Sequence, residues 1–213
     1  MTARVLLADI GGTNARFALA DVDAPAIALV EQRTLPTADY ASLQHAAEAY
    51  LASVGARPLR ASIAVACPVT GDEVRLTNRA WAFSQAELKR ALGLEQLKVL
   101  NDFGAVAHAV PRLADGDRVL LHGSDTQPPR GPITLLGPGT GLGVALLVGD
   151  AARGWHVVET EGGHVSFAPQ NDEELHIARW MAARHGRCSN ERLLCGAGIA
   201  QIDAALAAGD DLS

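Results

Sequence analysis

The pattern of apolar and polar positions changes period several times along the chain, and each change predicts an element. Residues 5–9 are nearly continuous in apolar character, as in a strand covered on both faces. Gly11-Gly12-Thr13-Asn14 then breaks the run as a turn, and residues 15–20 alternate with Ala15, Phe17 and Leu19 on one side. A third strand is predicted over 26–35, after a turn at Pro25. From 41 to 54 the period becomes helical, with Leu43, Ala47, Tyr50, Leu51 and Val54 on one face. Residues 61–67 read as strand again and are closed by Pro68. Ser84 and Glu87 have the spacing of a capping box, opening a helix that stops at Gly93. Residues 97–100 form a strand that delivers Asn101 and Asp102 at its C-terminal end, and the stretch up to Pro111 reads as a helix.

A polar stretch rich in Pro and Gly, 123–132, precedes a second unit. A strand over 133–136, a turn over 137–141 and strands over 142–148 and 155–160 repeat the strand–turn–strand–strand order of residues 5–35. The two turns share little beyond Gly and Thr, so the echo is architectural rather than a sequence repeat. It predicts two related α/β domains flanking a cleft, a small one at 1–112 and a larger one at 113–213. Helices over 172–185 and about 197–208 follow, with no later strand to close the second sheet. The expectation is a second domain truncated at its C-terminus.

Composition narrows the function classes. A chain of 213 residues can bury a core without covalent staples, and 48% hydrophobic with 20% charged residues excludes a disordered chain. The formal charge of −6, with no dense Lys/Arg run, weighs against nucleic acid or an anionic membrane as partner. Apolar runs such as 63–67 and 144–148 are too short to cross a bilayer. The chain enters its first strand without a signal-peptide pattern, so a cytoplasmic location is expected. Cys67, Cys188 and Cys195 form no even framework and no C-x-x-C pair, which fits reduced thiols. With His185 they lack the spacing of a zinc knuckle, so no protein-bound metal is expected.

Six short segments are candidates for chemistry. The turn after Asp9, with Gly11, Gly12, Thr13, Asn14 and Arg16, offers backbone N–H groups to a phosphate, and Asp9 could orient water on Mg²⁺. A plain Gly-Gly hairpin accounts for it equally well. Gly137, Gly139, Gly141 and Gly143, with Thr140, put four glycines into seven residues, more than a hairpin needs, which favours close approach to a ligand. Two such turns suit the two sides of a triphosphate tail. Asn101-Asp102 is either a helix cap or a general base with an amide beside it. Glu161-Gly162-Gly163-His164 sets a carboxylate and an imidazole around glycines that open space for something bulky. Ser189-Asn190-Glu191 reads on its own as a helix start, and Thr77-Asn78 is unremarkable alone.

In combination these segments are more specific. Asp9-x-Gly-Gly-Thr-Asn-x-Arg16, Ala66-Cys67-Pro68-Val69-Thr70-Gly71, Thr77-Asn78-x-x-Trp81, Asn101-Asp102-Phe103, Gly137-x-Gly-Thr-Gly-Leu-Gly143 and Glu161-Gly-Gly-His164-Val-x-Phe-Ala-Pro169 occur in that order. The series closely resembles the bacterial glucokinase family of the hexokinase/actin-like ATPase superfamily, over essentially the whole chain. A ROK-type sugar kinase shares the first motif but ordinarily carries a Cys-rich zinc motif after the histidine, whereas residues 165–190 hold one cysteine, Cys188. The resemblance implies two ribonuclease-H-like (actin-like ATPase) domains and transfer of a phosphoryl group from ATP to glucose, the first step of glycolysis. It implies Asp102 as the base for the sugar 6-hydroxyl, with Asn101, Glu161, His164 and Glu191 on the other hydroxyls. Both glycine turns would hold the phosphates with Mg²⁺ between them, and the protein would be a homodimer. Family members ordinarily run well past Ser213, into a further glycine-rich turn against the adenosine and a final helix. A non-catalytic sugar- or nucleotide-binding module of the same fold is the alternative reading.

Overall fold

The computed structural model describes residues 4–22, 24, 27–76, 81–123 and 132–209. Strand β1 (Arg4–Ile10) carries the first apolar run and lies between two partners. On one side β2 (Asn14–Asp21) and β3 (Leu29–Pro36) follow antiparallel. On the other side β4 (Arg60–Val65) and β7 (Gln96–Asn101) run parallel to β1, giving the order β3-β2-β1-β4-β7. Parallel neighbours need a crossover, and the amphipathic helix α1 (Leu43–Val54) supplies the first. A small hairpin of β5 (Glu73–Arg75) and β6 (Ala82–Ser84), then α2 (Gln85–Ala91), supply the second. The register pairs Ile10 with Val65 and Val65 with Asn101, so the C-terminal ends of β1, β4 and β7 line up at one edge. In open α/β sheets that edge is where ligands bind.

The core explains the helix. Ser42 caps α1 by accepting the His45 N–H, and Gly55 ends it in the left-handed conformation at φ 64°. Between them Leu43, Ala46, Ala47 and Tyr50 are buried, and the Tyr50 ring stacks on Phe17 of β2 at 5.1 Å between centroids. Ile63 and Val65 of β4 and Trp81 belong to the same cluster.

The second unit begins with an antiparallel meander of β8 (Ile133–Pro138), β9 (Leu142–Asp150) and β10 (Gly154–Thr160). Helices α4 (Asp172–His185), α5 (Asn190–Leu193) and α6 (Gly198–Ala207) gather around Ile177, Trp180, Met181, Cys188, Leu193 and Ala205. The two compact units are Met1–Ala105 and Val106–Ser213, a division inside α3 (Asp102–Ala109). Among the described residues no helix is long and apolar enough to cross a membrane.

Four details differ from the sequence reading. The third strand starts at Leu29, and Pro25 and Ala26 lie outside the described residues. The β5–β6 hairpin was not foreseen, because three-residue strands leave no periodicity to detect. Helix α3 ends at Ala109 and tightens into a 3-10 turn over Val110–Arg112 at Pro111, which has no N–H to continue it. At the start of α2, Ser84 does accept the Glu87 N–H, and Asp72 adds a second cap by accepting the Ala86 N–H.

Candidate active site

The first unit contributes a turn and a strand end. In the turn the Gly11 N–H donates to Asn14 O at 2.9 Å. Thr37, only 1% exposed, pins the outer side: its hydroxyl donates to Gly12 O at 2.8 Å and its N–H to Thr13 O at 2.9 Å. Asp9 and Arg16 face each other across the β1–β2 ladder and form an ion pair at 2.8 Å, each half exposed. Both stand in the wall of a cavity of about 370 Å³ beside Leu7, Leu29, Gln32 and Thr34, and that wall does not include Asp102.

Asn101 and Asp102 occupy the end of β7 and the first position of α3. The Asn101 Oδ1 accepts both the Phe103 N–H (2.9 Å) and the Gly104 N–H (3.1 Å), while its amide donates to Cys67 O at 3.3 Å. Asp102 also accepts the Phe103 N–H, at 2.8 Å. Burial raises the Asp102 carboxyl above the ordinary aspartate value and the Asp9 charge adds to that, against the opposing hydrogen bonds from Phe103 and Asn101. Burial also pushes the Cys67 thiol up, helped by the Asp102 charge, so it stays protonated.

The second unit brings Glu161, His164 and Glu191 together. Glu161 precedes a 3-10 turn over Gly162–His164 that lies on β9. His164 sits between the carboxylates, Nε2 3.6 Å from Glu161 and Nδ1 3.8 Å from Glu191. Glu191 is presented by α5, whose start is capped by Ser189. The other Glu191 oxygen accepts the Leu142 N–H at 2.9 Å, where the glycine-rich turn enters β9. That turn is narrow: the Gly139 N–H donates to Gly141 O at 2.8 Å, and Gly137 and Gly143 pair within the strands.

The glycines have two kinds of reason. At Gly139 a Cβ would meet nothing within 4 Å, so open space lies beside it, while its N–H and carbonyl are bonded to Gly141 O and the Gly196 N–H. At Gly141 a Cβ would stand 2.5 Å from the Glu191 carboxylate. On Gly162 it would meet Val144 Cγ1 at 2.9 Å, and on Gly163 the Leu142 carbonyl oxygen inside contact distance. Gly162 and Gly163 therefore let their turn lie flat on β9. They do not open space for something bulky, and the sequence reading is corrected there: the close approach is between segments of the protein.

Thr77 and Asn78 lie outside the described residues. Trp81 of the same motif is buried and donates its indole N–H to Tyr40 O at 3.2 Å. The sequence reading missed Thr37, whose partners are 24 and 25 positions away, and Arg187, which donates to His164 O at 2.6 Å. Neither sits in a pattern that spacing alone reveals.

Comparison with known proteins shows the family. The family model described as Glucokinase matches residues 6–213. A curated glucokinase of Chromohalobacter salexigens is 47% identical over 203 residues, covering 95% of this chain and 62% of that protein. The crystal structure of a glucokinase from an Antarctic psychrotroph is similar at a TM-score of 0.82 and 39% identity, over 98% of this chain and 65% of that one. A ROK hexokinase from Thermus thermophilus shares the fold at a TM-score of 0.59 and 18% identity, over 96% and 64%. The chain thus spans less than two thirds of the length of curated relatives that it matches. On the match over residues 6–213 and this identity, the chain belongs to the glucokinase family.

Proposed function

We propose that the protein to which this chain belongs is a glucokinase, transferring the γ-phosphoryl group of ATP to the 6-hydroxyl of D-glucose. The observation that carries the reading is Asp102: a half-buried carboxylate at the C-terminal edge of a parallel strand, with its pKa raised by burial and by Asp9. A base of raised pKa holds the proton it accepts better than a solvated carboxylate does. Asp102 takes the proton of the 6-hydroxyl, whose oxygen bonds to the γ-phosphorus as the bond to the ADP oxygen breaks. Asn101, Glu161, His164 and Glu191 hold the remaining hydroxyls. The Gly11–Asn14 turn and the turn over 137–141 hold the phosphates through groups other than the Gly11 and Gly139 N–H, which are donated to Asn14 O and Gly141 O within the turns.

Mg²⁺, bound with ATP, supplies charge neutralisation on the phosphates. The Asp9 carboxylate is half exposed and held on one oxygen by Arg16, which fits a residue that orients water on such an ion. Phosphoryl transfer needs position and charge more than covalent help, so the remaining contribution lies in holding the reactants in place and excluding water. Family membership extends the proposal to a cytoplasmic homodimer.

The test is glucose 6-phosphate formation by the protein and by Asp102→Ala, with glucose binding measured beside it. Turnover is expected to fall about 10²–10⁴-fold with binding retained within a few-fold. Near-normal turnover in the variant removes Asp102 from the mechanism, and glucose bound without turnover in the unsubstituted protein favours a binding module.

A further inference from the structure

We propose that Glu191 is a positioning residue that couples the sugar site to the glycine-rich turn, so that filling the sugar site stiffens the turn. The proposal rests on the glucokinase reading above. One carboxylate oxygen of Glu191 accepts the Leu142 N–H at 2.9 Å, and the other faces the His164 ring at 3.8 Å, too long for a hydrogen bond. The side chain is 29% exposed, and in the proposal the oxygen facing His164 is the one that meets a ligand. The two oxygens thus look in different directions, one to the turn and one to the sugar side.

Everything around this carboxylate fixes it to both partners. A short ladder ties 164–167 to 187–191: the Phe167 N–H donates to Cys188 O at 3.0 Å and the Asn190 N–H to Val165 O at 2.9 Å. Arg187 adds its 2.6 Å bond to His164 O. His164 and Glu191 therefore move as one piece. On the other side Gly141 has no side chain where a Cβ would stand 2.5 Å from the Glu191 oxygen, which leaves the carboxylate room to reach Leu142. The Gly196 N–H, beyond α5, donates to Gly139 O at 2.7 Å, a second tie from the same segment to the tip of the turn.

A sugar hydroxyl donating to the outward oxygen restricts the carboxylate, and the restricted carboxylate holds the Leu142 N–H more persistently. Coupling of this kind is reciprocal, so ordering the turn around phosphates also favours the sugar. The device is an ordering of one hydrogen-bonded turn, with no rearrangement of the sheet.

Amide hydrogen exchange at residues 139–143, with and without saturating glucose, tests it, while calorimetry reports glucose binding. In the unsubstituted protein glucose is expected to slow exchange at Leu142 several-fold. Glu191→Ala is expected to speed that exchange roughly tenfold to a hundredfold without sugar, the loss of one bond to a charged acceptor, and to abolish the slowing. Protected amides in β9 beyond Val144 show that the variant is folded. If it is not, Gly141→Ala performs the same test, because its Cβ displaces the carboxylate from Leu142 with all sugar groups present. Glucose bound with Leu142 exchange unchanged overturns the coupling alone, as does undiminished slowing in the variant. Glucose not bound at all by the unsubstituted protein overturns the sugar reading and the coupling with it.

Discussion

Gly163→Ala and Gly139→Ala make a matched pair, because both replace a glycine of the candidate site by the smallest side chain and the structure assigns them opposite consequences. The new Cβ at 163 would meet the Leu142 carbonyl oxygen well inside contact and Leu142 Cβ at 3.1 Å. The oxygen cannot give way cheaply, since Leu142 begins the central strand of the β8–β9–β10 meander and its N–H is held by Glu191. The 3-10 turn carrying Glu161 and His164 must lift instead. Overpacking of this kind costs about 1–3 kcal/mol, and backbone on both sides argues for the upper part of that range. On the proposed sugar contacts, lifting His164 from a sugar hydroxyl is expected to weaken glucose binding by about tenfold or more, the loss of one hydrogen bond to a charged or polarised partner. At 139 nothing stands within 4 Å, so Gly139→Ala should hold stability within about 0.5 kcal/mol. If the turn holds the phosphates as proposed, the substitution should instead weaken nucleotide binding. Urea unfolding with calorimetric titration of glucose and of a non-hydrolysable ATP analogue separates the two. Equal stability of the pair, or intact glucose binding in Gly163→Ala, refutes the steric argument.

Thr37→Val keeps the shape of a buried side chain but leaves Gly12 O without its 2.8 Å partner, so unfolding free energy should drop by about 1–3 kcal/mol in urea titration. Ser84→Ala removes the cap on α2 and should cost about 1 kcal/mol by the same measurement. The hydrogen bond from Ser84, then that from Ala86, hold the Asp72 carboxyl below its ordinary value, so its stabilisation is present above that value and lost as pH falls through the lowered one. Asp72→Asn should therefore be less stable than the parent at neutral pH, with the difference vanishing in acid. Asp102 has the opposite sign: its folded value is raised, so the charged carboxylate costs stability above that value and costs none below the ordinary one. Asp102→Asn should accordingly melt higher than the parent at neutral pH and alike in acid, whereas Asn101→Ala should melt lower at both.

Much of the first sheet was legible because its strands have a burial pattern that the residue types repeat. In β4 Ala61, Ile63 and Val65 are buried at alternate positions, and α1 shows its buried face at helical spacing. Strand β3 was legible as a strand but not in its limits: nearly all of it is exposed, so burial gives its ends no sharp signature. The β5–β6 hairpin and the 3-10 turns are too short to show a period. Among the candidate site residues, motifs pointed to Asn101, Asp102, Glu161 and His164 and the family resemblance to Glu191, whereas nothing in the sequence pointed to what holds them. Thr37 reaches Gly12 and Arg187 reaches His164 across 25 and 23 residues, and contacts of that range are set by sheet topology. The glycines show the same limit from the other side. A sequence records that a Cβ is absent, but only the packed chain tells whether a ligand or Glu191 occupies the space.

Asn101 and Asp102 show how one dipeptide accommodates two demands that compete in a single residue. The sequence leaves helix capping and base chemistry open at this strand end, and a carboxylate that capped α3 fully would be a poor base. Each N–H it accepted would hold it ionised and lower its affinity for a proton. Here Asn101 accepts the Phe103 and Gly104 N–H groups of the first turn, and Asp102 accepts the Phe103 N–H together with hydrogen bonds from its own N–H and from Asn101. The division leaves burial as the dominant influence on Asp102, so its pKa rises although it stands at a helix N-terminus, where the dipole favours charge. Exchanging the two side chains would keep a cap and a carboxylate but give the hydrogen bonds to the wrong one. On the proposed mechanism, the order Asn-Asp, rather than the presence of both residues, suits the second of them to take a proton.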